Sequence, residues 1–359
     1  MLKRYMHSRE RYFAMLNDNR TVQQFDWGAE HVIANPNGGD PRVLLKENAA
    51  NVAANSDEYF ALKTEPDFTL ETRLYPSAAS LSAEELKKPV EQTEIPVLTW
   101  QSSLETISAE NNTAHATYFP HENKKAAVIV LPHWNAKAGT YFDLCRFLNK
   151  VGLSALRLTM PYHEERMPPE LERADHLVSP NIGRTLQSVR QAVLDTRAAA
   201  LWLRQQGYEK VGIVGTSIGS CVAFLSFVHD RKIDAAVFNH VSGYMADVVW
   251  EGLSTYHVRE GFGDNITLDE LRQYWLPASP MAYMDKLAAL PERPQRYIYT
   301  LYDLSFPVGL SLDVMKELSR RNIPHSKAAI PCGHYTLGEK PWVWLDGYKI
   351  IRFLYKYLK

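Results

Sequence analysis

The sequence contains few cysteines, no excess of charge of either sign and no long apolar run. Its three cysteines, Cys145, Cys221 and Cys332, are far apart and odd in number, which argues against a disulfide framework and favours a reducing compartment. With 40 basic and 41 acidic side chains the net charge is -1, so we expect neither nucleic acid nor an anionic membrane surface as a partner. The segment 126–131 is among the longest apolar runs and is too short to span a bilayer. The first ten residues are rich in charge and lack the apolar core of a signal peptide, so we expect a cytoplasmic protein.

From about residue 96 onward, short strand-like segments alternate with helix-like segments. This alternation predicts an α/β fold in which helices cover both faces of a mostly parallel central sheet. The strands are predicted at 115–118, 126–131, 154–158, 210–214, 235–238, 297–301 and 326–330. The helices are predicted at 140–150, 183–206, 217–229, 310–320 and 342–357.

The most informative pattern is a G-x-S-x-G motif at 215–219, with Ser217 at its centre. An apolar strand-like segment precedes it and an apolar helix-like segment without Gly or Pro follows it. A serine on a sharp turn between a strand and a helix is typical of a nucleophile elbow. The flanking glycines remove the Cβ atoms that would collide as the chain reverses, and the serine takes a strained backbone conformation. The context therefore predicts that Ser217 is a nucleophile.

A nucleophilic serine needs a histidine to take its proton and a carboxylate to orient that histidine. Asp303 follows a predicted strand 86 residues after Ser217, and His334 follows the last predicted strand 31 residues later. The order Ser, Asp, His is the one that the nucleophile-elbow architecture requires. Asp303 could instead cap a helix or form a turn, and Asp247, after the strand at 235–238, is a rival for the carboxylate. We favour Asp303 because Asp247 lies in an apolar, insertion-like stretch.

With these residues, the chain from about 96 to 359 resembles the α/β-hydrolase superfamily. The resemblance depends on Ser217, Asp303, His334 and the segment 131–134, Leu-Pro-His-Trp, after an early strand. It implies an oxyanion hole built from the backbone N–H groups of Trp134 and Ile218. The usual pattern has Gly where this sequence has Trp134, so a bulky indole is expected to narrow the pocket.

Three further histidines, His133, His163 and His240, also lie near predicted strand ends. Together with His334 and Cys332 they match no Cys/His zinc spacing, so no metal is expected. We expect His133 to be structural in the oxyanion turn and His163 and His240 to line the pocket or bond to the backbone. Trp250 belongs to a group of large apolar residues that would wall a substrate pocket or form the core of a cap.

The predicted organisation is an N-terminal extension at 1–95 and an α/β-hydrolase domain at 96–359. The extension is expected to pack on the core or on a second subunit, so a homo-oligomer is an open alternative. A polar stretch near 77–88 has a capped helix start at Ser82. The long segments 161–182 and 243–290 follow strand ends and are expected to be cap or lid segments.

These patterns together predict a serine hydrolase that cleaves a small-molecule carboxylic ester through an acyl-enzyme, with no cofactor. A peptidase, an amidase or an acyltransferase would use the same three residues. A non-catalytic binding protein on this fold is the alternative outside enzymes, and the presence of all three residues argues against it.

Overall fold

The computed structural model describes residues 2–16, 19–36, 38–76 and 92–359. The helix start predicted at Ser82 lies outside the described residues. Within them, nine strands form one sheet: β1 (Thr69–Pro76), β2 (Gln92–Gln101), β3 (Thr113–Phe119), β4 (Ala126–Leu131), β5 (Ser154–Leu158), β6 (Lys210–Thr216), β7 (Ala235–Asn239), β8 (Gln295–Thr300) and β9 (Ser326–Ile330).

The strand order across this sheet is β1-β2-β3-β5-β4-β6-β7-β8-β9. From β5 through β4, β6, β7 and β8 to β9, each strand is parallel to the next one in the sheet. The neighbouring pairs β1–β2, β2–β3 and β3–β5 are antiparallel. The mostly parallel sheet predicted from the sequence is therefore confirmed. Parallel strands bring their carboxyl ends to one edge, which is where open α/β sheets bind ligands.

Helices connect the strands. Among the described residues they are α1 (Leu2–Met15), α2 (Pro41–Ala54), α3 (Ser56–Tyr59), α4 (Phe142–Lys150), α5 (Ile182–Gln205), α6 (Ile218–His229), α7 (Met245–Glu251), α8 (Tyr256–Phe262), α9 (Leu268–Tyr274), α10 (Met284–Ala289), α11 (Val308–Arg320) and α12 (Trp342–Leu358). In the described part of the chain, none of them is both long enough and apolar enough to cross a bilayer.

Two apolar cores lie on opposite faces of the sheet, and β4 shows why. Successive side chains of a strand point to opposite faces, and every residue of β4 is buried. Ile129 belongs to the core that contains residues of α5 and α6. Val128 and Val130 belong to the core that contains residues of α4 and α12. Burying a side chain of this size stabilises the fold by about 1.5–3 kcal/mol, so an all-apolar strand favours helices on both faces.

The sheet extends further toward the N-terminus than the predicted strands do. β1 and β2 join it through β3, so residues 69–76 of the segment expected to be an extension are part of the sheet. Both strands lie in its antiparallel part, and β2 contains Pro96, which cannot donate a ladder hydrogen bond. A proline within a run weakens the prediction of a strand from the sequence. The domain boundary at residue 95 stays a prediction.

Candidate active site

Ser217 lies on the turn between β6 and α6. Its backbone has φ 59° and ψ −125°, a conformation that non-glycine residues rarely adopt. A Cβ atom on Gly215 would lie 2.0 Å from the carbonyl oxygen of Gly219, and one on Gly219 would lie 2.5 Å from the carbonyl oxygens of Leu131 and Pro132. Glycine is therefore required on both sides of Ser217. The strain at Ser217 persists because the turn is fixed between a buried strand and a buried helix.

Asp303 follows β8 and is 5% exposed. Its Oδ1 atom accepts hydrogen bonds from the backbone N–H groups of Ser305 and Phe306, at 2.8 and 2.7 Å. Its Oδ2 atom accepts one from the hydroxyl of Thr300, at 3.0 Å. These bonds fix the carboxylate in the turn and leave Oδ2 directed at a neighbouring histidine.

His334 follows β9, and its Nδ1 atom lies 3.2 Å from Oδ2 of Asp303. Its ring stacks on Phe306, with centroids 5.4 Å apart and planes 2° from parallel. Burial lowers the pKa of His334, but the charge of Asp303 and its hydrogen bond outweigh that effect, so the pKa is raised above its usual value. Burial alone would raise the pKa of Asp303, and its two histidine neighbours hold it well below its usual range. Asp303 is therefore ionised at neutral pH and keeps Nδ1 of His334 protonated.

The rival carboxylate, Asp247, lies elsewhere. It is in α7, and its Oδ1 atom accepts a hydrogen bond from Nε of Arg272 at 2.6 Å. Its charge is thus balanced by an arginine of α9, whereas Asp303 bonds to His334. Of these two carboxylates, the structure places Asp303 beside His334.

Ser217, Ile218 and His334 line one cavity of about 1480 Å³ at the carboxyl edge of the sheet. The two insertion segments supply much of its wall. His163 and Met167 come from the segment 161–182, and further lining residues come from the segment 243–290. The cavity gives a substrate access to the serine turn and the histidine together.

The turn after β4 lies beside the serine turn, since a Cβ atom on Gly219 would lie 2.5 Å from the carbonyl oxygens of Leu131 and Pro132. Ile218 is the first residue of α6, so its N–H has no partner in a preceding turn of that helix. The indole of Trp134 leaves this turn toward the insertions. It donates to the carbonyl oxygen of Ala174 at 2.8 Å and stacks on His257, with centroids 5.6 Å apart. Trp134 thus joins both insertion segments to the turn after β4, which gives its side chain a packing role.

His133 and His163 stabilise this turn. Nε2 of His163 accepts the backbone N–H of Asn135 at 2.8 Å, and its Nδ1 lies 2.8 Å from the carbonyl oxygen of Pro161. Nδ1 of His133 lies 2.8 Å from the hydroxyl of Tyr141. Burial lowers the pKa of His133 to about 3 and that of His163 to about 4, so both rings are neutral at neutral pH.

Sequence reasoning missed the most distinctive feature of the site, which is a second histidine on the acid. Nδ1 of His240 lies 3.0 Å from Oδ2 of Asp303, the oxygen that also faces His334. His240 follows β7 and has φ 63°, so its position at a strand end was the available signal. Burial lowers the pKa of His240 despite the hydrogen bond to Asp303. His240, Asp303 and His334 place one possible ligand atom each within 4.8 Å of one another. Oδ2 of Asp303 faces Nδ1 of both histidines, whereas Nε2 of His240 is buried without a hydrogen-bond partner among the described residues.

Trp250 lies apart from these residues. Its ring stacks on Phe262 with centroids 6.3 Å apart, and the guanidinium of Arg259 lies 5.2 Å above it. Trp250 is not among the described residues that line the cavity. The structure therefore places it in the packing of the insertion 243–290.

Comparison of the sequence with protein-family models and with curated proteins finds no match. Comparison with solved structures finds many. Acetyl xylan esterase from Paenibacillus sp. R4 is similar over 96% of this chain and 98% of its own, with a TM-score of 0.58 and 12% identity. Acetyl xylan esterase 1 from Thermoanaerobacterium sp. JW/SL YS485 is similar over 88% of this chain and 98% of its own, with a TM-score of 0.57 and 14% identity. Pyrococcus horikoshii acylaminoacyl peptidase is similar over 85% of this chain and 44% of its own, with a TM-score of 0.52 and 17% identity.

At these identities the likeness concerns the fold. It agrees with the large central sheet that helices cover on both faces. The chain has the α/β-hydrolase fold, as its sequence motifs predicted.

Proposed function

We propose that the protein is a serine hydrolase that cleaves a carboxylic ester through an acyl-enzyme. The observation that carries the proposal is the pairing of two features in one cavity. Ser217 is held on a strained turn at the carboxyl edge, and His334, bonded to an ionised Asp303, lines the same cavity. Strained backbone at a cavity wall beside an oriented imidazole is typical of nucleophilic catalysis.

In the proposed reaction, Oγ of Ser217 attacks the ester carbonyl carbon while Nε2 of His334 takes the hydroxyl proton. The carbon–oxygen bond to the alcohol breaks, and His334 gives the proton to the departing alcohol. Water then attacks the acyl-enzyme with His334 again as base, which releases the acid and restores the serine. Asp303 holds the imidazole tautomer and stabilises its charged form throughout.

We place the oxyanion hole at the backbone N–H groups of Trp134 and Ile218. The proposal is supported by the contact between the turn after β4 and Gly219, and by the position of Ile218 at the start of α6. Removing one such donor typically costs about 3–4 kcal/mol of transition-state stabilisation. Because both donors are backbone groups, side-chain substitution would leave them in place.

We propose a small-molecule ester as substrate, with the segments 161–182 and 243–290 as cap segments over the cavity. The proposal includes no cofactor and a cytoplasmic location, and a homo-oligomer stays open. Similar structures that are named as acetyl xylan esterases favour an ester, whereas one that is named as an acylaminoacyl peptidase keeps amide cleavage as the second candidate.

The test is labelling with a fluorophosphonate probe, read by intact mass. We expect one adduct on the wild type and none on S217A. The variant S319A is the control, because Ser319 lies on α11, where its hydroxyl donates to the carbonyl oxygen of Met315 at 2.9 Å. Folded wild-type protein that stays unlabelled would count against an activated serine and would favour the non-catalytic alternative.

Substrate class is tested with p-nitrophenyl esters against p-nitroanilides of the same acyl groups. We expect turnover of the esters, and a loss on the order of 10³ or more in H334A. Faster turnover of the anilides would instead identify a peptidase or amidase.

A further inference from the structure

The N-terminal helix α1 contains one acidic residue, and it is completely buried. Glu10 is 0% exposed, although most of its neighbours in α1 are exposed. A buried carboxylate is costly unless hydrogen-bond donors surround it. Glu10 finds its donors 325 and 326 residues away in the chain, on the loop that carries His334.

Three donors of this loop bind the carboxylate. Oε1 of Glu10 accepts the backbone N–H of Thr336 at 2.8 Å and the hydroxyl of Thr336 at 2.9 Å. Oε2 accepts the backbone N–H of Tyr335 at 3.1 Å. The Thr336 hydroxyl in turn accepts the backbone N–H of Gly333 at 2.8 Å. These bonds hold the residues on both sides of His334.

The close approach also explains the glycine before His334. A Cβ atom on Gly333 would lie 2.3 Å from the carboxyl carbon of Glu10, so a side chain there would displace the carboxylate. Nearby contacts reinforce the arrangement. Nε of Arg9 donates to Glu339 at 3.2 Å, and Nη2 of Arg20 donates to the hydroxyl of Tyr335 at 3.0 Å.

We infer that Glu10 is a positioning residue of the proposed active site, whose carboxylate holds the loop 333–336 so that His334 faces Asp303. The inference rests on the proposed function. It gives α1 a specific role, since a helix of the N-terminal segment completes the support of the general base. Displacing a catalytic group by about 1 Å through a distant change can cost about 10²-fold in rate.

Glu10 also acts on His334 through its charge. Burial raises the pKa of Glu10, and the hydrogen bonds from Thr336 and Tyr335 oppose that rise. The negative charge of Glu10 adds to that of Asp303 in raising the pKa of His334. The titratable groups that face His334 or Glu10 from the surrounding elements are Asp303, His240, His133, Cys332 and Tyr335, and Arg20 and Arg173 in turn face Tyr335.

The experiment compares the wild type with E10Q, which keeps the shape but replaces one carboxylate oxygen by an NH2 group. We expect the rate of fluorophosphonate labelling, per folded molecule, to fall by about 10- to 100-fold. We also expect the acid limb of the ester kcat/KM profile to move to lower pH, because His334 loses a nearby negative charge. The control is E47Q, the same change on an exposed residue of α2.

The contribution of Thr336 to its contact with Glu10 is tested with two variants. T336V removes the hydroxyl, and T336S keeps a hydroxyl at this position. We expect T336V to slow labelling and T336S to recover most of the rate. In the double variant E10Q/T336V, the labelling rate should fall by less than the two single effects combined, because both substitutions disrupt one hydrogen-bond network.

The inference would be overturned if E10Q is labelled at the wild-type rate and the acid limb of its kcat/KM profile does not move. This holds whether or not the melting temperature of E10Q is lower. The His334 imidazole, followed by NMR, decides the same point without turnover. A lower His334 pKa in E10Q supports the contact, and an unchanged one refutes it. An unlabelled wild type would instead refute the proposed function, so the two failures are distinguishable.

Discussion

Asp346 of α12 offers a test of how burial near the site controls stability. It lines the cavity, and its Oδ2 atom accepts a hydrogen bond from Nδ2 of Asn239 at 2.9 Å. Its Oδ1 atom and Oδ1 of Asn239 are both buried without a hydrogen-bond partner among the described residues. Burial raises the pKa of Asp346 from 3.8 to about 7. The structure thus favours a protonated Asp346 below the neutral range.

The raised pKa sets the sign and size of a stability effect. Between pH 3.8 and about 7 the unfolded chain loses the Asp346 proton while the folded chain keeps it, so stability falls as pH rises. At about 1.4 kcal/mol per pKa unit, the whole shift corresponds to about 4 kcal/mol. Between about pH 5 and about pH 8 the loss from this group should be about 3 kcal/mol. Asparagine at this position removes the titration.

The assay is urea unfolding of the wild type and D346N at several pH values from about 5 to 8. We expect the advantage of D346N to grow with pH, because burial penalises the ionised form of Asp346 more than the charge of Lys349 stabilises it. The control is D264N, at an exposed aspartate after α8. Parallel pH curves for the wild type and D346N would refute the reasoning, since they would mean that Asp346 has the same pKa in the folded and unfolded chains.

Two further substitutions test the choice of acid and the serine turn. D303N should lower kcat on p-nitrophenyl esters by about 10⁴-fold by releasing the His334 tautomer, whereas D247N should leave kcat nearly unchanged; equal losses would contradict the assignment. G219A should destabilise the fold by about 1–3 kcal/mol and abolish labelling, because its Cβ meets two backbone oxygens at 2.5 Å. The control is G309A, whose melting temperature should not fall because a Cβ atom at Gly309 meets open space. If G219A has the melting temperature and the labelling rate of the wild type, the serine turn tolerates a side chain and the reasoning is wrong.

The sequence by itself determined the parts that depend on neighbouring residues. The apolar strand 126–131 has the bounds that were predicted, since a short run buried on both faces has few alternatives. The serine turn was also predictable, because Gly215 and Gly219 are required to avoid backbone clashes and both lie within two residues of Ser217. The order of Ser217, Asp303 and His334 followed from predicted strand ends.

The tertiary structure decided what depends on distant segments. The sequence favoured Asp303 over Asp247 but left both open, because the contact with His334 is made only where separate strands end side by side. The bond from His240 to the same carboxylate is of this kind as well. Glu10 is the clearest case, since its donors lie 325 and 326 residues further along the chain. Short sequence patterns reflect steric requirements between neighbouring residues, whereas contacts between distant residues form only once the strands and helices have packed.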